Sequence, residues 1–221
     1  MSSLITQAKN TIQITFEQAR DILQSKGYDP QCFLVMICFF RSYSSKWDQL
    51  FQSSSWENNA DKLRSFLQTI TASGGRDPGE AVEVSLWWAN KKYDESPINQ
   101  VIILGDQPAN LEHEAQQHRN IFGQNYWNTT PIKDLTYYKP ECNKLKSKNV
   151  PVHAFYLNEY TRQIYSEISQ LTGGQSAYLD IYSAESAKKL TNVLVEQILR
   201  DVGKQDGRGE ELVKAYKAKY S

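Results

Sequence analysis

The chain has 221 residues, 40% of them hydrophobic and 23% charged, which predicts a globular fold with room for a sizeable core. Its 25 Lys and Arg balance 25 Asp and Glu. There is therefore no global basic field to draw nucleic acid or an anionic membrane, and zero net charge favours self-association.

Residues 3–26 predict an amphipathic helix. Leu4, Ile5, Ala8, Ile12, Phe16, Ala19, Ile22 and Leu23 recur at helical spacing, and Gly27 stops it. Polar residues run throughout this helix, so no signal peptide is expected. Tyr28-Asp29-Pro30 reads as a turn. Cys32 to Phe40 is a continuous apolar run, read as a strand buried on both faces. Its apolar stretch is too short to span a bilayer. Arg41 to Asn58 reads as a Ser-rich loop pinned by Trp47, Phe51 and Trp56.

A helix with Leu63, Phe66, Leu67 and Ile70 facing inward is expected from Asn59 or Ala60. Ser73 to Pro78 is a Gly-rich loop, and Pro78 suits the first turn of the next helix. That helix carries Ala81, Val84, Ser85, Trp88 and Ala89 along one side. Ile98 to Leu104 is a second buried strand. Residues 107–132 read as irregular or weakly helical. Leu135 to Lys148 is helical, Val150 to Leu157 a third strand, and Thr161 to Leu171 a helix closed by Gly173-Gly174. Ser176 to Asp180 is a short strand and Ala184 to Val202 a long amphipathic helix. Glu210 to Lys219 is expected as a solvated helical tail. Strands alternating with helices predict an α/β sandwich on a mainly parallel sheet.

Two aspartates stand where such a sheet places ligands. Asp106 follows the strand that ends in Leu104-Gly105, and Asp77 precedes the helix that opens at Pro78. Asp77 also reads as a helix N-cap, with Glu80 three residues on as in a capping box. Asp106 also reads as the start of a turn, Gly105-Asp106-Gln107-Pro108. Two such aspartates on adjacent loops would repel unless a cation or water separated them, and Mg²⁺ or Mn²⁺ would suit them better than zinc. His113 and His118 are five apart, which does not fit a metal pair on a helix face and reads as a solvated face. His153 reads as a satisfied core or edge residue, and Trp87-Trp88 as core packing. Cys32, Cys38 and Cys142 form no motif and fit a reducing, cytoplasmic setting.

As a set, several segments resemble the von Willebrand factor A (vWA) domain, in particular the intracellular group found beside alpha-kinase domains. They are Phe40-Arg41-Ser42, Gly74-Gly75-Arg76-Asp77-Pro78-Gly79-Glu80-Ala81-Val82, Asp106 with Pro108, Val152 to Tyr156, and Leu171-Thr172-Gly173-Gly174. The resemblance covers helix one to about Val202. It implies a vWA-like domain over residues 1–203, a three-layer α/β sandwich on a doubly wound sheet, with 204–221 as a polar, weakly basic tail.

In that family the carboxyl end of the sheet carries a metal-ion-dependent adhesion site. Asp106 matches its third element, and Asp77 stands near its second. Of the first, Asp-x-Ser/Thr-x-Ser on a central strand, only Met1-Ser2-Ser3-Leu4-Ile5 remains, and Ser42 replaces an aspartate. The resemblance therefore implies a fold lacking its first strand and a degenerate site that holds Mg²⁺ or Mn²⁺ weakly or not at all. Without the first strand, Cys32–Phe40 and Ile98–Leu104 either pair directly or leave a gap whose buried backbone groups cost roughly 1–3 kcal/mol each. A gap or sheet edge also offers a route to self-association.

The function this implies is a non-catalytic protein–protein interaction module. An unidentified protein partner docks over Ser2, Ser3, Asp77 and Asp106. Two other readings stand beside it. One is a divalent-metal-dependent hydrolase or transferase using Asp77, Glu80 and Asp106. The other is a truncated remnant without independent function.

Overall fold

A computed structural model describes residues 2–71, 79–180 and 185–220. It is mixed α/β, and its residues group into two compact units. One holds residues 1–37, 54–72 and 179–221, the other residues 38–53 and 73–178.

The first unit is helical. Helix α1 (Ser2–Ser25) packs against α3 (Ala60–Thr69), α9 (Ser186–Val202) and α10 (Gly209–Tyr220). The apolar stripe read in the sequence supplies the core: Phe16, Ala19, Ile22 and Leu23 are buried together with Leu63, Val195, Leu199 and Leu212. The side chain of Asn59 accepts from the Asp61 N–H at 2.8 Å and caps α3. Helix α10 is not a solvated tail. Leu212, Val213 and Tyr216 are buried in this core, and the Tyr216 hydroxyl bonds Asn192 Oδ1 at 2.7 Å. The spacing of these three residues lays them on one helical face, which costs less buried than exposed.

The second unit carries the strands. β1 (Cys38–Phe40) pairs antiparallel with β2 (Phe51–Ser53), and the short helix α2 (Trp47–Leu50) lies between them in sequence. β3 (Val101–Gly105), β4 (Val152–Tyr156) and β5 (Ser176–Tyr178) form a parallel sheet in the order β3-β4-β5. Val101 stands opposite Val152 and Gly105 opposite Tyr156. Helices α5 (Glu112–Arg119), α6 (Gly123–Trp127) and α7 (Tyr138–Ser147) connect β3 to β4, and α8 (Arg162–Thr172) connects β4 to β5. Every residue of β4 is buried, as expected of a strand covered on both faces.

Together with α4 (Val82–Glu95), α7 and α8 bury one cluster that includes Leu86, Ile103, Ala154, Tyr165 and Ile168. Asn90 on α4 donates to the buried Glu141 carboxylate on α7 at 2.8 Å. A second cluster gathers Tyr43, Leu50, Phe51, Val84 and Trp127. Helix α8 ends as the sequence predicts, with Gly173 at φ 80°, a left-handed position that favours glycine.

The fold differs from expectation around residues 32–58. Only Cys38–Phe40 of the long apolar run is strand, and Cys32 and Leu34 are exposed. The expected loop contains β2, which supplies the partner that makes β1 a strand. Within the loop Phe51 is buried, whereas Trp56 is exposed. Among the described residues β1 does not pair with β3.

Candidate functional site at the carboxyl ends of the strands

The residue after β1 and the turn after β3 both meet the segment Glu80-Ala81. The Ala81 N–H donates to Arg41 C=O at 3.0 Å, and the Glu80 N–H donates to Pro108 C=O at 3.0 Å. Successive amides of an extended segment point to opposite sides. Arg41 and Pro108 therefore flank it, and Glu80 is held beside the turn that carries Asp106.

Two close approaches fix that turn. Gly105 has no room for a side chain: an added Cβ would lie 2.0 Å from the Tyr165 hydroxyl oxygen. That hydroxyl donates to Gln107 C=O at 3.2 Å. Tyr160 reaches over from the segment after β4. Its hydroxyl lies 2.9 Å from Asp106 C=O and 2.7 Å from Gln107 Oε1.

The charges here act on one another. Burial, then the nearby Asp106, push the Glu80 carboxyl up to about 8, against the opposing pull of Arg41. Glu80 Oε2 is buried and has no hydrogen-bond partner. Burial and then Asp106 raise the Tyr160 hydroxyl, and burial, then Glu80 and Asp106, raise Tyr165. Glu80, Asp106, Tyr160 and Tyr165 thus share one local field.

Behind them lies Glu83, fully buried on α4 and pushed up to about 7 by burial. Asn110 ties it down: its Nδ2 donates to Glu83 Oε1 and to Glu80 C=O, each at 3.1 Å. Arg41 is buried at the end of β1. Its guanidinium lies 4.6 Å from the Phe39 ring centre and donates to Gln49 C=O, and burial lowers its pKa.

Of the residues expected at the site, Asp106 and Glu80 come together. Asp77 lies outside the described residues. Ser2 and Ser3 open α1, and their side chains are likewise outside what is described. Ser42 is buried, its Oγ 2.6 Å from Ser44 Oγ.

Sequence reasoning missed Arg41, Glu83, Asn110, Tyr160 and Tyr165 as members. The acid in Ala81-Val82-Glu83-Val84 was the available signal, since a charge inside an apolar run must find partners.

The resemblance implies Mg²⁺ or Mn²⁺ at this end of the sheet. The described groups do not fit either ion. Mg²⁺ takes octahedral oxygen coordination, whereas Glu80 and Asp106 offer two carboxyl groups, one of them protonated near neutral pH. Among the described residues no three His, Cys, Asp or Glu side chains gather as metal ligands.

No family model matches this chain. Over 173 residues it is 27% identical to a putative ariadne-like RING finger protein of Acanthamoeba polyphaga mimivirus. That match covers 76% of this chain and 16% of the viral protein, so the chain spans only a small part of its relative's length. Structural zinc sites take four Cys or His ligands, commonly from Cys-x2-4-Cys pairs. With three cysteines and three histidines and no such pair, this chain has no counterpart to the RING finger in the relative's name. Among the described residues, no helix is long and apolar enough to cross a membrane.

Proposed function

We propose that this chain is a non-catalytic protein-interaction module built like a vWA domain, and that its partner docks over the loops at the carboxyl ends of β1 and β3. The parallel β3-β4-β5 order, the antiparallel β1-β2 pair beside it and the place of Asp106 support that reading. One observation carries the docking site: Glu80 Oε2, buried without a hydrogen-bond partner next to Asp106. A carboxyl with one oxygen left unbonded, set beside the acidic Asp106, is completed by a partner that brings a hydrogen-bonding side chain, such as a Lys, an Arg or a hydroxyl. The partner's own donors do the work a metal would do in a complete site. The setting is a reducing one, in keeping with three free cysteines. In the mimivirus relative the matched stretch is one part of a larger polypeptide, as suits a module.

Site-specific photocrosslinking tests this. A photoreactive residue at Glu159, beside the site, captures a partner. The same residue at Lys146, exposed on α7 near the amino end of β4, does not. Asp106→Ala abolishes the first crosslink while the helical signal is unchanged. Equal capture from both positions, or capture indifferent to Asp106→Ala, contradicts the proposal.

A further inference from the structure

The facing edges of β1 and β3 carry a feature separate from the loops. The antiparallel ladder sets which backbone groups of β1 are used. Val35 and Glu57 exchange bonds, Ser54 N–H donates to Ile37 C=O and Arg41 N–H donates to Leu50 C=O. By alternation, Phe39 faces β2 and Arg41 bonds Leu50, while Cys38 and Phe40 turn their N–H and C=O the other way. In the parallel ladder, Val101 N–H donates to Pro151 C=O and Leu157 N–H to Gly105 C=O. Val101, Ile103 and Gly105 therefore serve β4, and Ile102 and Leu104 turn their groups away from it. Among the described residues these outward groups of Cys38, Phe40, Ile102 and Leu104 meet no other strand.

The two sets belong to one gap. Glu80-Ala81 bonds Arg41, the residue after β1, on one side and Pro108, three residues after β3, on the other. A single strand-like segment thus stands between the residue that follows β1 and those that follow β3, as a strand ~4.8 Å from each would. The gap's walls are apolar and half-buried: Cys38, Phe39, Phe40, Ile102 and Leu104. Phe40 and Ile103 contribute to the same core cluster, so the gap opens onto packed apolar surface rather than onto a polar groove.

We propose that this gap is a binding slot for an extended apolar segment of another polypeptide, inserted between β1 and β3 and hydrogen-bonded to both. The slot fixes what can enter. Its length is that of β3, five residues. A strand with neighbours on both sides needs both of its edges free. Among the described residues every strand already has a partner on at least one edge, so these strands of a second folded copy have no pair of free edges to give. The occupant is therefore a linear segment, apolar on both faces and without an internal proline, because proline removes a ladder donor. Cys38 contributes a thiol whose pKa burial raises to about 12, so it meets the segment as a neutral apolar group.

The test uses the full 221-residue chain and a displayed library of short random peptides. In the protein alone, the amides of Cys38, Phe40, Ile102 and Leu104 exchange with deuterium faster than those of Phe39 and Ile103. Selected peptides share an apolar run free of proline, and on binding they slow those four amides by about tenfold or more. N-methylation of two adjacent central amides in the peptide abolishes both binding and protection. Ile102→Pro, which removes a slot-facing N–H and spares the bonds to β4, weakens binding. Asp106→Ala leaves peptide binding intact, so failure of the loop-docking reading and failure of the slot are told apart. The slot is overturned if the four amides are already as slow as Phe39 and Ile103 in the protein alone. It is equally overturned if no peptide is enriched, or if enriched peptides leave those amides unchanged.

Discussion

Glu80 and Glu83 make the stability of this protein depend on pH in an unusual direction. Both carboxyls hold their proton more tightly in the fold than in the unfolded chain, where they titrate near 4.5. Between that value and the folded values of about 8 and about 7, the native state binds more protons than the unfolded one. Stability therefore falls as pH rises through this window. A tenfold difference in proton affinity between the two states corresponds to about 1.4 kcal/mol. The thermal midpoint is expected to be higher at about pH 5 than at about pH 8, and Glu80→Gln to flatten much of that slope. A midpoint that rises across the window contradicts the burial of these acids.

Gly105 supplies a second test at this scale. Gly105→Ala drives a methyl into the buried Tyr165 hydroxyl and costs about 1–3 kcal/mol by denaturant unfolding. Tyr165→Phe removes the clashing atom, so the double variant recovers part of the loss, and additive losses would refute the contact. Asp106 was legible from sequence because an acid following Val-Ile-Ile-Leu-Gly marks a strand end. Glu83 was not, because a single acid in a helix reads as its solvent face until Asn110 and Tyr43 are brought beside it from other parts of the chain.

Among the elements, helices were the most readable and strand limits the least. Helices α1, α7, α8 and α9 follow their apolar periodicity to within a few residues, as local hydrogen bonding allows. A strand ends where its partner does, and a partner is distant in sequence. The nine apolar residues from Cys32 to Phe40 therefore shrink to three, the number that Phe51–Ser53 can pair. β2 itself went unseen, since Phe51-Gln52-Ser53 is too short to show alternation. Helix α10 was misjudged for a related reason. Its apolar residues are few, but Leu212, Val213 and Tyr216 fall on one face and meet α1 and α9. Leu212→Ala is expected to destabilise the protein by about 2–5 kcal/mol, measured by urea unfolding. A loss below about 0.5 kcal/mol would return α10 to the status of a solvated tail.

At the scale of the whole molecule, alternating elements predicted a mixed α/β protein with a parallel sheet, and that is what is found in β3-β4-β5. The complete three-layer vWA sandwich belongs to the proposal, as does its interaction function. The division into a hairpin and a three-stranded part was not legible: Cys32–Phe40 and Ile98–Leu104 were expected either to pair directly or to leave a gap, and the hairpin partner β2 fell in an expected loop. No periodicity in one strand announces which of its two edges goes unpaired. The carboxyl ends of β1 and β3 gather Arg41, Glu80 and Asp106 from three separate stretches of sequence. Tyr160 and Tyr165, from a fourth, join them in a candidate site that no local motif outlines.

The most direct test of the interaction reading is an amide-exchange footprint of this protein with and without the captured partner. Protection concentrated on residues 79–81, 106–110 and 158–161 is the predicted result. Protection centred instead on α7 and the amino ends of β3 and β4, with the Glu80 and Asp106 loops unchanged, would contradict it.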